Sequence, residues 1–135
     1  MGEQRLTWTG EGLDFTAQTA YGADILVSGT ADGHGAKPSD LVPVSLAACT
    51  AYDVVVILRK QRQDLRGLEV AITTEQDEDP PWRFRSIHCH YVLAGRIDDR
   101  KAARAIEISE AKYCAVAATL RSVVALSHSH EIVEP

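Results

Sequence analysis

The sequence predicts an α+β fold with a mainly antiparallel sheet. Predicted strands and helices follow one another in the order βββ-α-ββ-αα-β, so that most strands are not separated by helices. This grouping is typical of α+β proteins, because a parallel sheet needs a crossover, usually a helix, between successive strands. The second observation is a single long apolar helix near the middle of the chain, around which a small protein must fold.

Composition indicates one globular domain that spans residues 1–135, since 45% of the residues are hydrophobic and 24% are charged. The net charge of −5 argues against a nucleic-acid partner, because phosphate binding requires clustered Lys and Arg. The N-terminus has no apolar segment resembling a signal peptide, and three scattered cysteines are too few for a secreted disulfide framework. These features predict a cytoplasmic protein.

Three strands are predicted before the long helix. Residues 4–9 and 13–19 alternate apolar and polar side chains around Gly10-Glu11-Gly12, which indicates a hairpin. Residues 23–28 form the third strand, and residues 29–37, rich in Gly, Asp and His, form a loop. The hairpin has few apolar residues for a core of its own, so we expect it to pack on a second subunit.

The central helix is predicted between Asp40 and Arg59. Ser39 or Asp40 can cap its N-terminus, and Pro43 is tolerated in its first turn. Its apolar residues fall on every face, as in a helix that is buried or that crosses a membrane. The uncharged run from Leu41 to Tyr52 is shorter than the about 20 residues that a span requires. We therefore expect a core helix around which the rest of the chain wraps, and no membrane partner.

Two strands follow the central helix. Gly67 interrupts the apolar pattern, after which residues 68–75 are predicted as a strand, and an acidic turn at 76–81 leads to a longer strand at 82–93. Alternation divides the longer strand into two faces. One face carries Phe84, Ser86, His88, His90 and Val92, and the other carries Arg85, Ile87, Cys89, Tyr91 and Leu93.

Two helices and a strand complete the chain. The first helix begins at Asp98-Asp99 and runs through Lys112, with apolar residues at helical spacing. The second contains Tyr113-Cys114 and continues to about residue 126. Residues 128–133 alternate and are predicted as the last strand.

Cys49 and Cys114 are the first candidate functional pair, each in a predicted helix among small apolar residues. A peroxide-reducing thiol forms a sulfenic acid, which a second thiol resolves as a disulfide. Two cysteines on facing helices would provide both thiols. The alternative is that both fill the core, since free cysteine is among the most commonly buried residues. Spacing alone does not decide between these interpretations.

Activation of Cys49 is not explained by its own helix. The residue lies about ten positions into the helix, too far from the N-terminus for the helix dipole to lower the thiol pKa much. Asp53 lies one turn further on the same face and, if ionised, would raise that pKa. A cation or hydrogen-bond donor from elsewhere is therefore required. Alternatively, Asp53 is a buried carboxylate that pairs with an arginine or with backbone groups.

Two His-x-His pairs form the second candidate constellation: His88 with His90, and His128 with His130. Four imidazoles on one face of a sheet would suit zinc or copper. Histidine pairs on strands are more often surface residues, so we expect no metal, and no cofactor motif is apparent. Cys89 points to the opposite face from His88 and is interpreted as a structural core residue.

Two motifs resemble a known family. Pro38 followed by Asp40-Leu-Val, then Ala-Ala-Cys49-Thr-Ala-Tyr-Asp53-Val-Val, resembles the central-helix motif of the osmotically inducible protein C (OsmC) and organic hydroperoxide resistance (Ohr) family. The segment from Ala105 to Val116 is similar to the second-cysteine motif of that family, and the order of elements agrees over nearly the whole chain. The Cys-Thr-Ala-Tyr-Asp form resembles the broader OsmC-like branch.

The resemblance implies an α+β fold with antiparallel sheets around a long central helix, assembled as an intertwined homodimer with active sites at the interface. It implies an antioxidant activity in oxidative stress: thiol-dependent reduction of organic hydroperoxides, with Cys49 as peroxidatic and Cys114 as resolving thiol. The reductant would be a dithiol or a lipoylated protein. The alternative is a non-enzymatic OsmC-like protein that holds a hydrophobic small molecule in the interface cavity, with both cysteines as lining.

The chain departs from the family pattern at the activating residues. In the best-studied branch, an arginine from the N-terminal hairpin region and a glutamate just before the central helix activate the thiolate. Here the glutamate position is Ser39, and residues 8–28 contain no arginine. Either another cation, from Arg5, Lys37 or the partner chain, replaces them, or the peroxidase is weak. The enzyme predicts a Cys49 thiol that titrates well below about 8.5, whereas the binding protein predicts an inert thiol.

Overall fold

The computed structural model describes residues 2–30 and 34–135 and confirms the α+β fold with two small sheets and a long helix. The predicted order of the main elements is also confirmed. The chain forms two compact units, Met1–Val42 and Pro43–Pro135. The assignment of the whole chain to a single domain stays a prediction.

The first unit contains an antiparallel sheet in the order β1-β2-β3, formed by β1 (Arg5–Trp8), β2 (Asp14–Gln18) and β3 (Asp24–Ser28). Gly10 and Gly12 both have positive φ values, +93° and +49°, which explains glycine on either side of the hairpin turn. Every residue of β1 is exposed. Of the loop predicted at 29–37, residues 31–33 lie outside the described residues.

The central helix α1 spans Leu41–Lys60 and follows a 3-10 turn at Pro38–Asp40, so the two predicted cap residues lie inside that turn. Pro43 lies in the first turn of α1, as predicted. The buried residues form one stripe at helical spacing: Pro43, Leu46, Ala47, Thr50, Val54 and Leu58. Val44 is 50% exposed and Tyr52 is 70% exposed. The expectation that the chain wraps this helix on every side is therefore wrong for a single chain.

The helical stretch Pro38–Lys60, which joins the 3-10 turn and α1, is long and apolar enough to cross a membrane by length and composition alone. The core helix of a soluble protein meets the same criteria, and this helix buries one stripe of residues within the protein. The helix is thus consistent with a core helix.

The second unit contains a mixed sheet in the order β4-β5-β6, formed by β4 (Asp64–Gln76), β5 (Phe84–Arg96) and β6 (Ala125–Val133). Strands β4 and β5 are antiparallel, whereas β5 and β6 are parallel. Gly67 does not precede β4, as the pattern predicted, but lies inside it, where the register shifts between Leu65 and Gly67 as a β-bulge. Burial along β5 alternates as predicted, with Ile87, Cys89, Tyr91 and Leu93 buried.

The helical segment is more broken than the sequence predicts. Helix α2 (Asp99–Ile108) begins as expected, with the Asp98 carboxylate accepting the Lys101 N–H at 3.1 Å. It gives way to a π-helical turn at Ser109–Tyr113, and a short α3 follows at Ala115–Leu120. The helical stretch that begins at Asp98-Asp99 does reach Lys112, since the π-helical turn continues α2 to Tyr113. The prediction of a second helix that contains Cys114 and reaches residue 126 was wrong, because Cys114 is extended and α3 ends at Leu120.

Candidate functional site

The structure brings together the two cysteines that the sequence singled out. Cys49 lies in the middle of α1 and is half-buried, and Cys114 lies between the π-helical turn and α3 and is buried. Both are free thiols, and the side chain of Cys114 interacts with that of Cys49. The arrangement presents two sulfur atoms from separate helical segments to each other.

The first turn of α3 supplies backbone donors to both sulfur atoms. Burial raises the pKa of the Cys49 thiol and Cys114 raises it further, whereas the backbone N–H groups of Val116 and Ala115 lower it. The next N–H, of Ala117, donates to the Cys114 Sγ at 3.3 Å. These N–H groups are available because the first turn of a helix leaves its donors without intrahelical acceptors.

These backbone donors were not predicted from the sequence. The pattern predicted a helix that already contains Tyr113 and Cys114, in which the same N–H groups would bond within the helix. The usual signals of a helix start are Ser, Thr, Asp or Asn at the cap, and here the cap is the cysteine itself. No pattern in the sequence pointed to the break.

Ser109 connects the surroundings of the two cysteines. Its side chain is fully buried, and its single hydroxyl proton is donated to the Asp53 carboxylate at 2.6 Å, with the Thr50 carbonyl as a second, longer acceptor at 3.4 Å. Its own carbonyl accepts the Cys114 N–H at 2.8 Å. Asp53, for which the sequence suggested an arginine or backbone partner, is thus bonded to a serine hydroxyl.

Cys89 and Tyr91 are buried on the inward face of β5. Burial, with smaller contributions from Glu110 and Cys114, raises the pKa of Cys89 to about 11. This keeps the thiol protonated near neutral pH and agrees with its interpretation as a core residue. Burial also raises the pKa of Tyr91, and its hydroxyl has no geometrically acceptable hydrogen bond among the described residues, although Thr50 lies near enough to oppose the shift.

Glu110 is a largely buried carboxyl group in the turn that leads to Cys114. Burial raises its pKa, and His128, Arg121 and His88 oppose that shift. The Glu110 Oε2 lies 3.6 Å from the His128 Nε2, and the Arg121 guanidinium donates to the Glu110 carbonyl at 2.6 Å. The turn is therefore tied both to β6 and to the end of α3.

Two clefts flank the π-helical turn. One, of about 290 Å³, is lined by Glu107, Glu110, Ala111, Ala117, Arg121, Leu126 and His128. The other, of about 210 Å³, is lined by Arg104, Glu107, Ile108, Ala111, Lys112 and Tyr113. The second cleft therefore combines an apolar wall with the cationic side chains of Arg104 and Lys112.

The four histidines do not share one face of the sheet. In the parallel pairing of β5 with β6, His128 is opposite Cys89 and His130 is opposite Tyr91, whereas His88 and His90 point the other way. The His88 ring nitrogens contact the hydroxyls of Ser127 and Ser129 at 2.7 and 2.9 Å. The four-imidazole arrangement considered from the sequence is therefore wrong.

Residues 30–129 match the sequence profile of the OsmC-like protein family. The chain belongs to the OsmC-like family. It is 39% identical over 132 residues to Protein YhfA of Escherichia coli K12, a match that covers 97% of this chain and 98% of YhfA.

Solved OsmC-family structures share the fold. The OsmC-like protein from Mycoplasma pneumoniae superposes with a TM-score of 0.83 at 16% identity, covering 98% of this chain and 97% of the other. An organic hydroperoxide resistance protein OsmC from Legionella pneumophila gives 0.70 at 14% identity, with 97% and 96% covered. Some members of the family are thus linked to hydroperoxide resistance.

The positions at which OsmC-like relatives were expected to carry activating residues lie in the first unit. Ser39 is in the 3-10 turn before α1, and Lys37 immediately precedes that turn. Arg5 lies on β1 and pairs with Glu3 at 3.6 Å, with both side chains largely exposed. Activation of Cys49 by Arg5 or Lys37 stays a prediction.

Proposed function

We propose that this protein is a cytoplasmic, homodimeric thiol peroxidase that reduces organic hydroperoxides. The observation that carries the proposal is the interaction between Cys49 and Cys114, two free thiols held together in one compact unit. Membership of a family in which some proteins are named for organic hydroperoxide resistance supports the substrate class.

The reaction divides between the two thiols. The Cys49 thiolate attacks the terminal oxygen of the hydroperoxide, the O–O bond breaks, and the alkoxide leaves with a proton as the alcohol. The Cys49 sulfenic acid then condenses with the Cys114 thiol, which releases water and forms the disulfide. An external dithiol, free or on a lipoylated protein, restores both thiols by exchange and is itself oxidised to a disulfide.

The backbone of α3 suits the charged intermediates of this cycle. The N–H groups of Ala115 and Val116 favour a negative charge on the Cys49 sulfur, and the Ala117 N–H donates to the Cys114 Sγ. Their effect opposes the burial that disfavours the Cys49 thiolate. Backbone N–H groups of the protein itself therefore supply hydrogen-bond donors of the kind that the sequence analysis required from outside the Cys49 helix.

Exposed apolar side chains support the homodimer. Leu6, Trp8, Val44 and Tyr52 are between 50% and 70% exposed. Extended apolar surface is usually covered by a partner. A second copy of the chain would cover the open faces of α1 and the exposed strand β1.

The proposal is tested by measuring consumption of cumene hydroperoxide with a dithiol, for the wild type, Cys49→Ser and Cys114→Ser. We expect Cys49→Ser to abolish turnover and Cys114→Ser to accumulate sulfenic acid on Cys49, which then over-oxidises to sulfinic acid. Ser127→Ala is the control, because it removes a hydroxyl on the face of the sheet that is opposite to the buried Cys89. Equal consumption by wild type and Cys49→Ser would refute the peroxidase.

The pH dependence of the same assay tests the state of Cys49. Burial raises the pKa of this thiol in the single chain, against the low pKa that the sequence analysis expected of a peroxidase. Only the minor thiolate fraction therefore reacts near neutral pH. We expect kcat/KM to rise by about tenfold per pH unit between pH 7 and 8, since the thiolate fraction grows in that proportion below the pKa. A rate independent of pH would contradict a raised pKa and point to an activating cation from the partner chain.

The second candidate is a non-enzymatic protein that binds a hydrophobic small molecule. The raised pKa of Cys49 favours it, because a protonated thiol is a poor nucleophile. The cleft beside Tyr113 and Ile108 offers an apolar wall for such a ligand. Native mass spectrometry of the purified protein distinguishes this candidate, which predicts a bound small molecule that Cys49→Ser retains.

A further inference from the structure

We propose that Ser109 is a positioning residue that sets the distance between Cys49 and Cys114. The inference rests on the proposed function, because it assumes that these two cysteines form a disulfide. The hydrogen bonds of Ser109 described above go to groups beside the two cysteines and not to their sulfur atoms. Ser109 acts by joining the stretch of α1 that carries Cys49 to the turn that ends at Cys114.

Every polar group of Ser109 is engaged, and each engages a different segment. Its N–H bonds to carbonyls of α2, at Ala105 and Ile106. Its hydroxyl bonds to α1, at the Asp53 carboxylate and the Thr50 carbonyl. Its carbonyl accepts the N–H of Cys114. The residue is therefore a junction of three segments, and it is fully buried.

The bonds on the α1 side lie next to Cys49. Thr50 is its immediate neighbour, and Asp53 is one turn further along the helix on the same face. The bond from Ser109 to Asp53, at 2.6 Å, is short and involves a carboxylate, which makes it stronger than a bond between neutral groups. A two-bond connection through Ser109 thus links the backbone beside Cys49 with the N–H of Cys114.

The π-helical turn supports the same conclusion. The Cys114 N–H bonds to the carbonyl five residues earlier, at Ser109, and this wider turn replaces the tighter helical bonding of α2. Short π-helical turns inside helices occur frequently at functional sites. Here the turn ends the helix where Cys114 leaves it to meet Cys49.

The relative position of the two cysteines matters, because a disulfide forms only within a narrow range of geometries. The Cα atoms must lie within about 4.4–6.8 Å of each other, and the Cβ atoms must face each other. The equilibrium between the dithiol and the disulfide therefore depends on how closely the fold holds the two thiols. A residue that holds both backbones raises their effective concentration without changing their chemistry.

The test measures the equilibrium of the Cys49–Cys114 disulfide against dithiothreitol. In that exchange, oxidised dithiothreitol accepts two electrons and two protons from the thiols as their S–S bond forms. We expect Ser109→Ala to lower the equilibrium constant by about tenfold, because an effective concentration depends steeply on alignment. Asp53→Ala removes the other partner of the Ser109–Asp53 hydrogen bond, and Ser127→Ala is the control. The disulfide is identified by peptide mapping, and folding is verified by circular dichroism.

The double variant Ser109→Ala/Asp53→Ala decides whether one bond is responsible. If the two residues act through their shared hydrogen bond, the equilibrium constant of the double variant is no lower than that of the more affected single variant. An unchanged equilibrium constant in folded Ser109→Ala, or effects of the two substitutions that multiply, would overturn the inference. If Ser109→Ala does not fold, Asp53→Ala alone decides the question. An unchanged equilibrium constant in Asp53→Ala would then overturn the inference.

The disulfide equilibrium is measured without any hydroperoxide, so its outcome is separate from that of the peroxidase assay. A protein that fails to consume cumene hydroperoxide, yet shows a Ser109-dependent disulfide equilibrium, would refute the peroxidase and support the positioning role. If the protein consumes cumene hydroperoxide but Ser109→Ala leaves the disulfide equilibrium constant unchanged, the peroxidase is supported and the positioning role is refuted.

Discussion

The two sheets of this protein differ in how much of their apolar surface the chain itself covers. In the sheet β4-β5-β6, Ile87, Tyr91 and Leu93 are completely buried. In the sheet β1-β2-β3, Leu6 is 62% exposed and Trp8 is 57% exposed. Both sheets carry alternating patterns, so alternation shows that a strand has an apolar face and does not show which molecule covers it.

The difference has a consequence for the site. Cys49, Ser109 and Cys114 all belong to the Pro43–Pro135 unit, which has its own buried core. We therefore expect the geometry of the cysteine pair to depend on that core, and assembly to depend on the exposed apolar strand. Three substitutions test this division, in order of decreasing effect.

Ile87→Ala removes a fully buried side chain from the central strand of the covered sheet. We expect the free energy of unfolding to fall by about 2–4 kcal/mol, from the lost transfer energy and the cavity that is left. Urea unfolding measures it. Val123→Ala, at a position 60% exposed, is the control and should change stability by less than about 0.5 kcal/mol. Similar effects of the two substitutions would contradict the assignment of Ile87 to a closed core.

Leu6→Asp places a charge on the exposed apolar face of β1. If a second subunit covers that face, the carboxylate loses water without gaining a partner, and we expect the dimer dissociation constant to rise by about tenfold or more. Sedimentation equilibrium measures it. Thr7→Asp, on the same strand but the opposite face, is the matched control. Equal dissociation constants for the two variants would show that the partner lies elsewhere.

Tyr91→Phe removes a hydroxyl that is buried without an acceptable hydrogen bond among the residues that the structure describes. Since burial of such a group is unfavourable, we expect stability to be unchanged or to rise by about 1 kcal/mol at most. Thermal unfolding measures the change, with Ile87→Ala as the reference for losing apolar contacts in the same strand. A loss of more than about 1 kcal/mol would show that the hydroxyl is hydrogen-bonded in solution.

Much of the fold was predictable because local patterns carry it. The faces of β5 and the start of α2 at Asp98 depend on neighbouring residues alone, and both were confirmed. The β-bulge at Gly67 was not predictable, because it depends on pairing with β5. The break at Cys114 carries no capping signal in the sequence, and it lies where the Cys114 side chain meets Cys49 of α1. The alternative that placed four histidines on one face was wrong because strand register, which the sequence does not give, determines which residues share a face.

For the site, residue patterns alone established which groups are available: two cysteines in small apolar surroundings, with Asp53 one turn from Cys49. Tertiary packing then determined that the two thiols interact, that Ser109 is the partner of Asp53, and that the N–H groups of α3 face the sulfur atoms. The two kinds of information differ in range. Periodicity and capping act within one or two turns, whereas Cys49 and Cys114 meet through packing between segments 65 residues apart.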